Sequence, residues 1–171
     1  RGVVGGAWGI PHWDKWPPTR ATGGSGGGIL TAWVVGKTGR FKAAVAQKPV
    51  INWHSFIGVT DAYPGIARYW FHHMPWEEPQ RYLARSPISL VGKVTTPTML
   101  LTGEDDHRTP ISESEQFYQA LKLRGVDTMM VRVPGASHGI VARPVLMAAE
   151  CPVRARGGER GLKSCLLYTS D

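Results

Sequence analysis

Apolar residues recur with a helical period in one part of the chain and form short runs of strand length in others. One helical face consists of four apolar side chains, Ile29, Leu30, Trp33 and Val34. Their spacing follows a 3.6-residue period, so we expect a helix here that ends at Gly36. Apolar runs bounded by proline or glycine predict buried strands at residues 42–47, 97–102 and 127–133.

Two further helices are predicted between these strands. The acidic pair before Pro79 favours a short helix, because acidic residues and proline are preferred in a first helical turn. Ser112 and Glu115 have the spacing of a capping box, which predicts a helix with Ser112 as its N-cap and Gly125 at its end. Helices therefore alternate with strands, which is typical of an α/β fold with a mostly parallel sheet.

Several parts of the chain do not follow this alternation. We expect residues 1–24 to be irregular, because glycine and proline interrupt them, and residues 50–76 are rich in aromatic side chains without a clear period. A short helix is expected after His138, and residues 151–171 have the character of a loop or a disordered tail. We find no internal repeat.

Composition separates an ordinary middle from two atypical ends. The net charge is +7, yet residues 29–150 hold thirteen basic and ten acidic side chains, so much of the excess lies outside them. The two cysteines are too few for a disulfide framework or a thiolate zinc site. We recognise neither a membrane-spanning run nor a signal peptide after Arg1, which favours a cytoplasmic over a secreted protein unless a leader precedes that residue.

A candidate nucleophile lies directly before the first predicted helix. Residues 23–27 read Gly-Gly-Ser-Gly-Gly and fit G-x-S-x-G, the turn that exposes a reactive serine at a helix N-terminus. In this interpretation Ser25 is the nucleophile and the N–H of Gly26 is one oxyanion donor. We expect small residues two positions before and two positions after the serine, because a side chain there would collide with neighbouring backbone. A flexible Gly/Ser linker explains the motif about equally well.

A candidate acid and base follow the next strands. Asp105 and Asp106 come directly after the strand at 97–102, and His138 follows the strand at 127–133. Functional groups in parallel α/β sheets gather at these carboxyl ends. The order Ser25, acid, His138 is that of α/β-hydrolases, although the position alone leaves the two aspartates equivalent and allows a merely solvated acidic loop.

Other motifs predict no cofactor and no metal. The glycines at 23–28 do not complete G-x-G-x-x-G, and Gly36-Lys37-Thr38 lacks the earlier glycine of a phosphate-binding loop. His72 and His73 lie near an acidic pair without a recognised metal-binding spacing.

Taken together, the motifs resemble the catalytic domain of the prolyl oligopeptidase family, in particular its acylaminoacyl-peptidase and dipeptidyl-aminopeptidase-like members. The resemblance covers residues 22–143. The segments that carry it are 22–28, 40–45, 75–79 with Tyr82, 86–87, 97–108 with Pro110, and 134–139.

The resemblance implies an α/β-hydrolase fold and a serine peptidase that cleaves short peptides through an acyl-enzyme. It assigns Ser25 as nucleophile, Asp106 rather than Asp105 as acid, and His138 as base, and it points to the aromatic segment around Trp70 and Phe71 for the pocket that receives the substrate side chain.

Family members also have an upstream part of the catalytic domain, which supplies a second oxyanion donor, and an N-terminal β-propeller. We recognise neither in these residues. We therefore expect an incomplete α/β-hydrolase domain at 22–150, the C-terminal half of a sheet with flanking helices, between a doubtful irregular segment at 1–21 and a disordered or artefactual tail at 151–171. Such a fragment would fold poorly and be nearly inactive alone.

Two other functions stay open at this point. A carboxylesterase uses the same triad and is the nearer alternative. A basic nucleic-acid-binding module is less consistent with the sequence, because the basic excess lies largely outside residues 29–150. We thus expect a peptide substrate, without nucleic acid or membrane as a partner.

Overall fold

The structure is a computed structural model that describes residues 20–140. Its described strands form one sheet in the order β1-β2-β3-β4, in which every neighbouring pair is parallel. The strands are β1 (Arg20–Gly24), β2 (Ala43–Gln47), β3 (Thr98–Gly103) and β4 (Thr128–Val133). The predicted α/β fold with a parallel sheet is confirmed. The predictions for residues 1–19 and for the tail at 151–171 lie outside the described residues, and so does most of the helix expected after His138.

Helical segments connect the strands. They are α1 (Gly26–Lys37), α2 (Trp53–Phe56), α3 (Tyr63–Ile66), α4 (Pro79–Ala84) and α5 (Ile111–Leu123), with a π-helical turn at Ala67–Phe71 and a 3₁₀ helix at Pro87–Lys93. The short helices and the π-helical turn occupy much of the aromatic-rich segment that showed no clear period in the sequence.

The two faces of the sheet contribute to separate apolar clusters. Leu100 on β3 packs with Val35 of α1 and Phe117 of α5, while its neighbours Met99 and Leu101 belong to the cluster on the opposite face. Every residue of β3 is buried, as expected of a central strand in a parallel sheet. Burying a leucine of this kind contributes about 1.5–3 kcal/mol to folding. This core fixes the strand ends, from which the candidate site is built.

The segment before the first helix differs from the expectation. Residues 20–24 were expected to be irregular, but they form β1, which pairs with β2 from Arg20 opposite Ala43 to Gly24 opposite Gln47. Ala21 is the buried apolar side chain of this strand. With so few apolar residues, the strand is specified by backbone pairing to β2 and by tertiary context, which a periodicity argument does not detect.

The predicted stop at Gly36 is also wrong. Helix α1 continues through Gly36 to Lys37, and Thr38 leaves it in an extended conformation. A Cβ atom on Gly36 would lie 2.6 Å from the Cβ of Leu90, so the glycine lets the 3₁₀ helix approach α1 closely. Gly125, by contrast, has a φ of 69° just after α5, as a glycine at a helix end commonly does.

The predicted capping box does not form. Helix α5 begins at Ile111 with Pro110 as its N-cap and without a side-chain capping bond. Proline fixes its own φ, and with Pro110 as N-cap the helix starts two residues before the position that Ser112 would require. Glu115 is consequently free to bind Arg132 on β4, with 2.6 Å between its carboxylate and the guanidinium.

Candidate active site

Ser25 lies on a strained turn between β1 and α1. Its φ is 56°, a left-handed value that is uncommon for a residue with a side chain. The Ser25 amide donates to the carbonyl of Gln47 at the end of β2, 3.0 Å away, and its carbonyl accepts from the amide of Ile29. Such backbone conformations cost about 1–3 kcal/mol and persist where the surroundings fix them. Here β2 and the first turn of α1 hold the turn from both sides.

Two glycines next to this turn are required by space. A Cβ on Gly23 would overlap the Gly27 carbonyl, and a Cβ on Gly28 would overlap the Gln47 carbonyl. Gly27, the second glycine of the G-x-S-x-G pattern, behaves differently, because a Cβ there would meet nothing within 4 Å. The expectation that both pattern glycines avoid a collision is therefore right for Gly23 and wrong for Gly27, whose place is taken by Gly28.

Asp106 follows β3 and is 2% exposed. Its Oδ1 accepts from the backbone amides of Arg108 at 2.9 Å and Thr109 at 2.8 Å, and its Oδ2 accepts from the Thr109 hydroxyl at 2.9 Å. Asp105 is exposed. The two aspartates, which sequence position left equivalent, thus differ in the structure, and the buried one carries the fixed hydrogen bonds.

His138 follows β4 and meets both of the other predicted residues. Its Nδ1 is 2.8 Å from Oδ2 of Asp106, and its Nε2 is 3.1 Å from Oγ of Ser25. The loop that carries it lies close to the end of β3, where a Cβ on Gly103 would overlap the carbonyl of Ala136. The structure therefore brings Ser25, Asp106 and His138 together in the order that a nucleophile, a base and an orienting acid require.

Gly26 is the first residue of α1, directly after Ser25. Amides in the first turn of a helix have no acceptor within the helix, and the helix dipole favours negative charge there. Its N–H is thus suitable for stabilising an oxyanion that forms at Ser25. Proton transfer from Ser25 to Nε2 of His138, with Nδ1–H held by Asp106, is the chemistry that this arrangement allows.

The sequence reasoning missed Lys48. Its ammonium donates to the carbonyl of His138 at 2.6 Å, and its amide donates to the Leu101 carbonyl at 2.7 Å. Lys48 also has a left-handed φ of 39°. It directly follows β2, so its position at a strand's carboxyl end was the available signal. The side chain ties the histidine loop to the centre of the sheet.

The loop that carries the acid is held by a second segment. The Arg108 guanidinium is 2.5 Å from the Asp61 carboxylate, and the hydroxyl of Thr60 donates to the Arg108 carbonyl at 2.8 Å. The hydrogen bond from Arg108 lowers the pKa of Asp61 below its ordinary value. Since both ends of this ion pair are exposed, its contribution to stability is small.

The aromatic segment forms its own cluster. Phe71 is 2% exposed and stacks on Tyr82 with ring centres 3.9 Å apart, whereas Trp70 is 54% exposed and lies against Trp53. Of the two residues expected near the substrate pocket, Trp70 is accessible and Phe71 is part of the packed cluster. The same segment and the loop after β3 together line an open pocket of about 560 Å³. Its lining includes Ile57, Val59, Tyr63, Met74, Trp76 and His107.

Glu113 is a buried carboxyl outside the triad. Its Oε2 accepts from the amides of Ile51 and Asn52, and its Oε1 accepts from the Ser55 hydroxyl and the Gln116 side chain. Burial raises the pKa of Glu113, and the hydrogen bonds oppose that rise. The residue joins α5 to the start of the aromatic segment. Sequence reasoning gave Glu113 no role.

Residues 20–140 contain no group of three or more histidine, cysteine or acidic side chains able to hold a metal. His73 and Glu78, which lie in the region considered for a metal, instead form an exposed pair 3.4 Å apart. Within the described part of the chain, every helix is too short or too polar to cross a bilayer.

Comparison with known proteins identifies the family of this chain. The Prolyl oligopeptidase family matches residues 19–148. The uncharacterized peptidase YuxL of Bacillus subtilis is 44% identical over 132 residues, which are 76% of this chain and 20% of that protein. The acylamino-acid-releasing enzyme of Arabidopsis thaliana is 39% identical over 132 residues, covering 71% of this chain and 17% of that enzyme.

Solved structures show the same relationship. A puromycin-hydrolyzing peptidase of Mycobacterium tuberculosis superposes with a TM-score of 0.63 at 30% identity, over 70% of this chain and 18% of its own. The acylaminoacyl peptidase of Pyrococcus horikoshii gives a TM-score of 0.74 at 22% identity, over 86% of this chain and 26% of its own, which supports the fold alone.

The fold described here is the α/β-hydrolase fold of these solved structures. This chain belongs to the prolyl oligopeptidase family, as the motifs in its sequence predicted. It spans about a fifth of the length of the curated relatives that it matches. The predicted fold class, an α/β-hydrolase fold with a mostly parallel sheet and flanking helices, is confirmed.

Proposed function

We propose that the protein is a serine peptidase that hydrolyses peptide bonds of short peptides. The observation that carries this proposal is the contact of His138 with both Ser25 and Asp106, at 3.1 and 2.8 Å, across three separate strand ends. In this proposal Ser25 is the nucleophile, His138 the base, Asp106 the acid that orients the base, and Gly26 an oxyanion donor.

The reaction begins when Oγ of Ser25 attacks the substrate carbonyl carbon and its proton passes to Nε2 of His138. The carbonyl oxygen becomes an oxyanion that accepts from the N–H of Gly26. His138 then gives the proton to the leaving amine as the peptide C–N bond breaks, which leaves an acyl-enzyme on Ser25. Water then gives a proton to Nε2 of His138 and attacks the acyl carbon. The bond from that carbon to Oγ of Ser25 breaks, Oγ takes the proton back from His138, and the acid product leaves.

The substrate class is proposed from relatives of this chain. Their names describe an acylamino-acid-releasing enzyme, an acylaminoacyl peptidase and a puromycin-hydrolyzing peptidase. The exposed Trp70 and the apolar pocket beside His107 provide surfaces for an apolar side chain of such a substrate.

We further propose that residues 22–150 are one part of the catalytic domain. Because the chain spans about a fifth of its matched relatives, the second oxyanion donor and a substrate-limiting β-propeller belong to sequence outside these residues. Activity is therefore tested in the full-length product of the open reading frame that encodes this chain. Loss of one oxyanion donor costs about 10²–10³ in rate, so the isolated 171-residue chain is expected to be nearly inactive.

Ser25→Ala tests the proposal directly. We expect the wild-type product to react with a fluorophosphonate probe and to hydrolyse acetyl-alanine p-nitroanilide, and Ser25→Ala to lose both activities. Ser112→Ala, which removes a serine hydroxyl on α5 outside the site, is the matched control and should retain them. Equal labelling of wild type and Ser25→Ala would contradict the proposal, and turnover of p-nitrophenyl esters without anilides would indicate a carboxylesterase instead.

A further inference from the structure

We propose that Thr109 is a positioning residue that fixes the acid and the base of the triad through its side-chain hydroxyl. This inference rests on the proposed function, because it concerns how the proposed base is held. The observation behind it is that the Thr109 hydroxyl oxygen lies 2.9 Å from Oδ2 of Asp106 and 3.2 Å from Nδ1 of His138. One hydroxyl therefore touches both members of the acid–base pair.

The direction of each hydrogen bond follows from the donors available. An ionised carboxylate can only accept, so the single hydroxyl proton of Thr109 goes to Oδ2 of Asp106. A base that takes its proton at Nε2 must already carry one at Nδ1. The Nδ1–H of His138 thus faces Oδ2 of Asp106 and, more weakly, the lone pairs of the Thr109 oxygen. This arrangement selects the tautomer that leaves Nε2 open towards Ser25.

The hydroxyl acts from a protected position. Thr109 is 4% exposed and Asp106 is 2% exposed, so water has little access to replace the hydroxyl as a donor. A hydrogen bond to a charged group contributes more than one between neutral groups, and its loss in a buried site is not compensated by solvent. The carboxylate would otherwise hold one fewer fixed donor on the oxygen that faces the imidazole.

The backbone of Thr109 provides a separate contact, which makes the side chain testable. The Thr109 amide donates to Oδ1 of Asp106 at 2.8 Å, and this bond is available to any residue except proline. Valine has nearly the shape of threonine, so Thr109→Val removes the hydroxyl while keeping the amide bond and the volume. Serine and alanine form a second pair that differs by a hydroxyl alone.

Loss of the Thr109 hydroxyl should slow the chemical steps and leave substrate binding nearly unchanged. Thr109 contacts the Nδ1 side of the imidazole, whereas Ser25 lies on the Nε2 side. Thr109 therefore does not touch the substrate. Removal of its hydroxyl affects how well the imidazole of His138 is aligned as positive charge develops on that ring. We expect kcat to fall about tenfold with KM changed less than twofold, the pattern of an interaction realised in the transition state.

The test compares wild type with Thr109→Val, and Thr109→Ser with Thr109→Ala, in the full-length product of the open reading frame. Acetyl-alanine p-nitroanilide turnover gives kcat and KM, and thermal unfolding is recorded for each variant. We expect each hydroxyl-lacking member to have about tenfold lower kcat than its partner at similar KM. Thr128→Val is the control, because it removes a buried hydroxyl that donates to the Thr98 carbonyl at the start of β4, away from the triad, and it should keep the wild-type kcat.

Two results would overturn the inference. Equal kcat within both pairs would show that the hydroxyl is not needed, and a fall in kcat that Thr128→Val shares would assign the effect to general loss of stability. If Thr109→Val does not fold, the serine–alanine pair decides the question by the same criterion. Failure of the proposed function is a distinct result, since wild type would then turn over no faster than Ser25→Ala.

Discussion

Two neighbouring glycines in α1 offer a sharp test of how the serine turn is built. A Cβ on Gly28 would overlap the carbonyl oxygen of Gln47 and lie 3.3 Å from the carbonyl oxygen of Gly23, while a Cβ on Gly27 would meet nothing within 4 Å. The Gln47 oxygen also accepts the hydrogen bond from the Ser25 amide. Gly28→Ala therefore acts on the group that holds the nucleophile, and Gly27→Ala does not.

The expected change in the free energy of unfolding is the sum of contributions of opposite sign. Forcing a methyl group against fixed backbone costs about 1–3 kcal/mol. Weakening the bond between Ser25 and Gln47 costs about 1 kcal/mol more. Replacing glycine by alanine within a helix returns about 1 kcal/mol. We thus expect Gly28→Ala to lower the free energy of unfolding by about 2 kcal/mol. Gly27→Ala keeps the helix gain alone and should be unchanged or more stable by up to about 1 kcal/mol.

The effect on reactivity is larger than the effect on stability. A displacement of about 1 Å at a reacting group can cost about 100-fold in rate. Moving the Gln47 carbonyl shifts Ser25 relative to His138, so we expect the rate of fluorophosphonate labelling to fall by about that factor in Gly28→Ala.

Denaturant unfolding and labelling kinetics, measured on the full-length product with both variants side by side, check these values. Wild-type labelling in Gly28→Ala, or equal damage from Gly27→Ala, would refute the packing argument.

Two other residues outside the triad give further predictions. Lys48→Met removes the ammonium that holds the His138 carbonyl, so kcat for an anilide substrate should fall about tenfold while the protein still folds. Lys48→Arg keeps a positive charge and should retain part of the wild-type kcat. A wild-type kcat in Lys48→Met would contradict the role of Lys48. Glu113→Ala leaves the amides of Ile51 and Asn52 unpaired and should lower the free energy of unfolding by about 3 kcal/mol in denaturant titrations. An unchanged free energy of unfolding would contradict this role. Because folding raises the pKa of Glu113 above its unfolded value, folding favours the protonated form; the associated stabilisation is present below the unfolded value and is lost as pH rises through the folded one. Wild type should therefore lose stability relative to Glu113→Gln over that interval, and parallel pH profiles would contradict this.

The sequence was sufficient where the physics is local or strongly patterned. The apolar runs that form β2, β3 and β4 are visible because central parallel strands are buried on both faces. The stop after α5 was visible because a left-handed position there favours glycine, and Gly125 has that conformation. The same reasoning placed Ser25 and His138 at their turns, since small residues mark places where the backbone must bend sharply.

The sequence was insufficient where the role of a residue depends on a contact with a residue that is distant along the chain. Gly36 has the appearance of a helix stop, but its function is to admit Leu90 from a segment more than fifty residues away. Ser112 has the spacing of an N-cap, but Pro110 starts α5 earlier. The roles of Lys48 and Thr109 depend on contacts with His138 that no spacing rule contains. In each case the residue type is explained by what it touches in three dimensions.

The described sheet accounts for the composition of the site through its strand ends. Ser25 follows β1, Lys48 follows β2, Asp106 follows β3 and His138 follows β4, so each parallel strand delivers one polar side chain to the same edge. The loop that carries His138 starts at β4 and must pass the ends of β3 and β2 to reach Ser25 at the end of β1. Lys48 at the end of β2 is therefore well placed to hold this loop. A sheet of this order can therefore bring together, from residues 20–140, the three side chains proposed as nucleophile, base and acid.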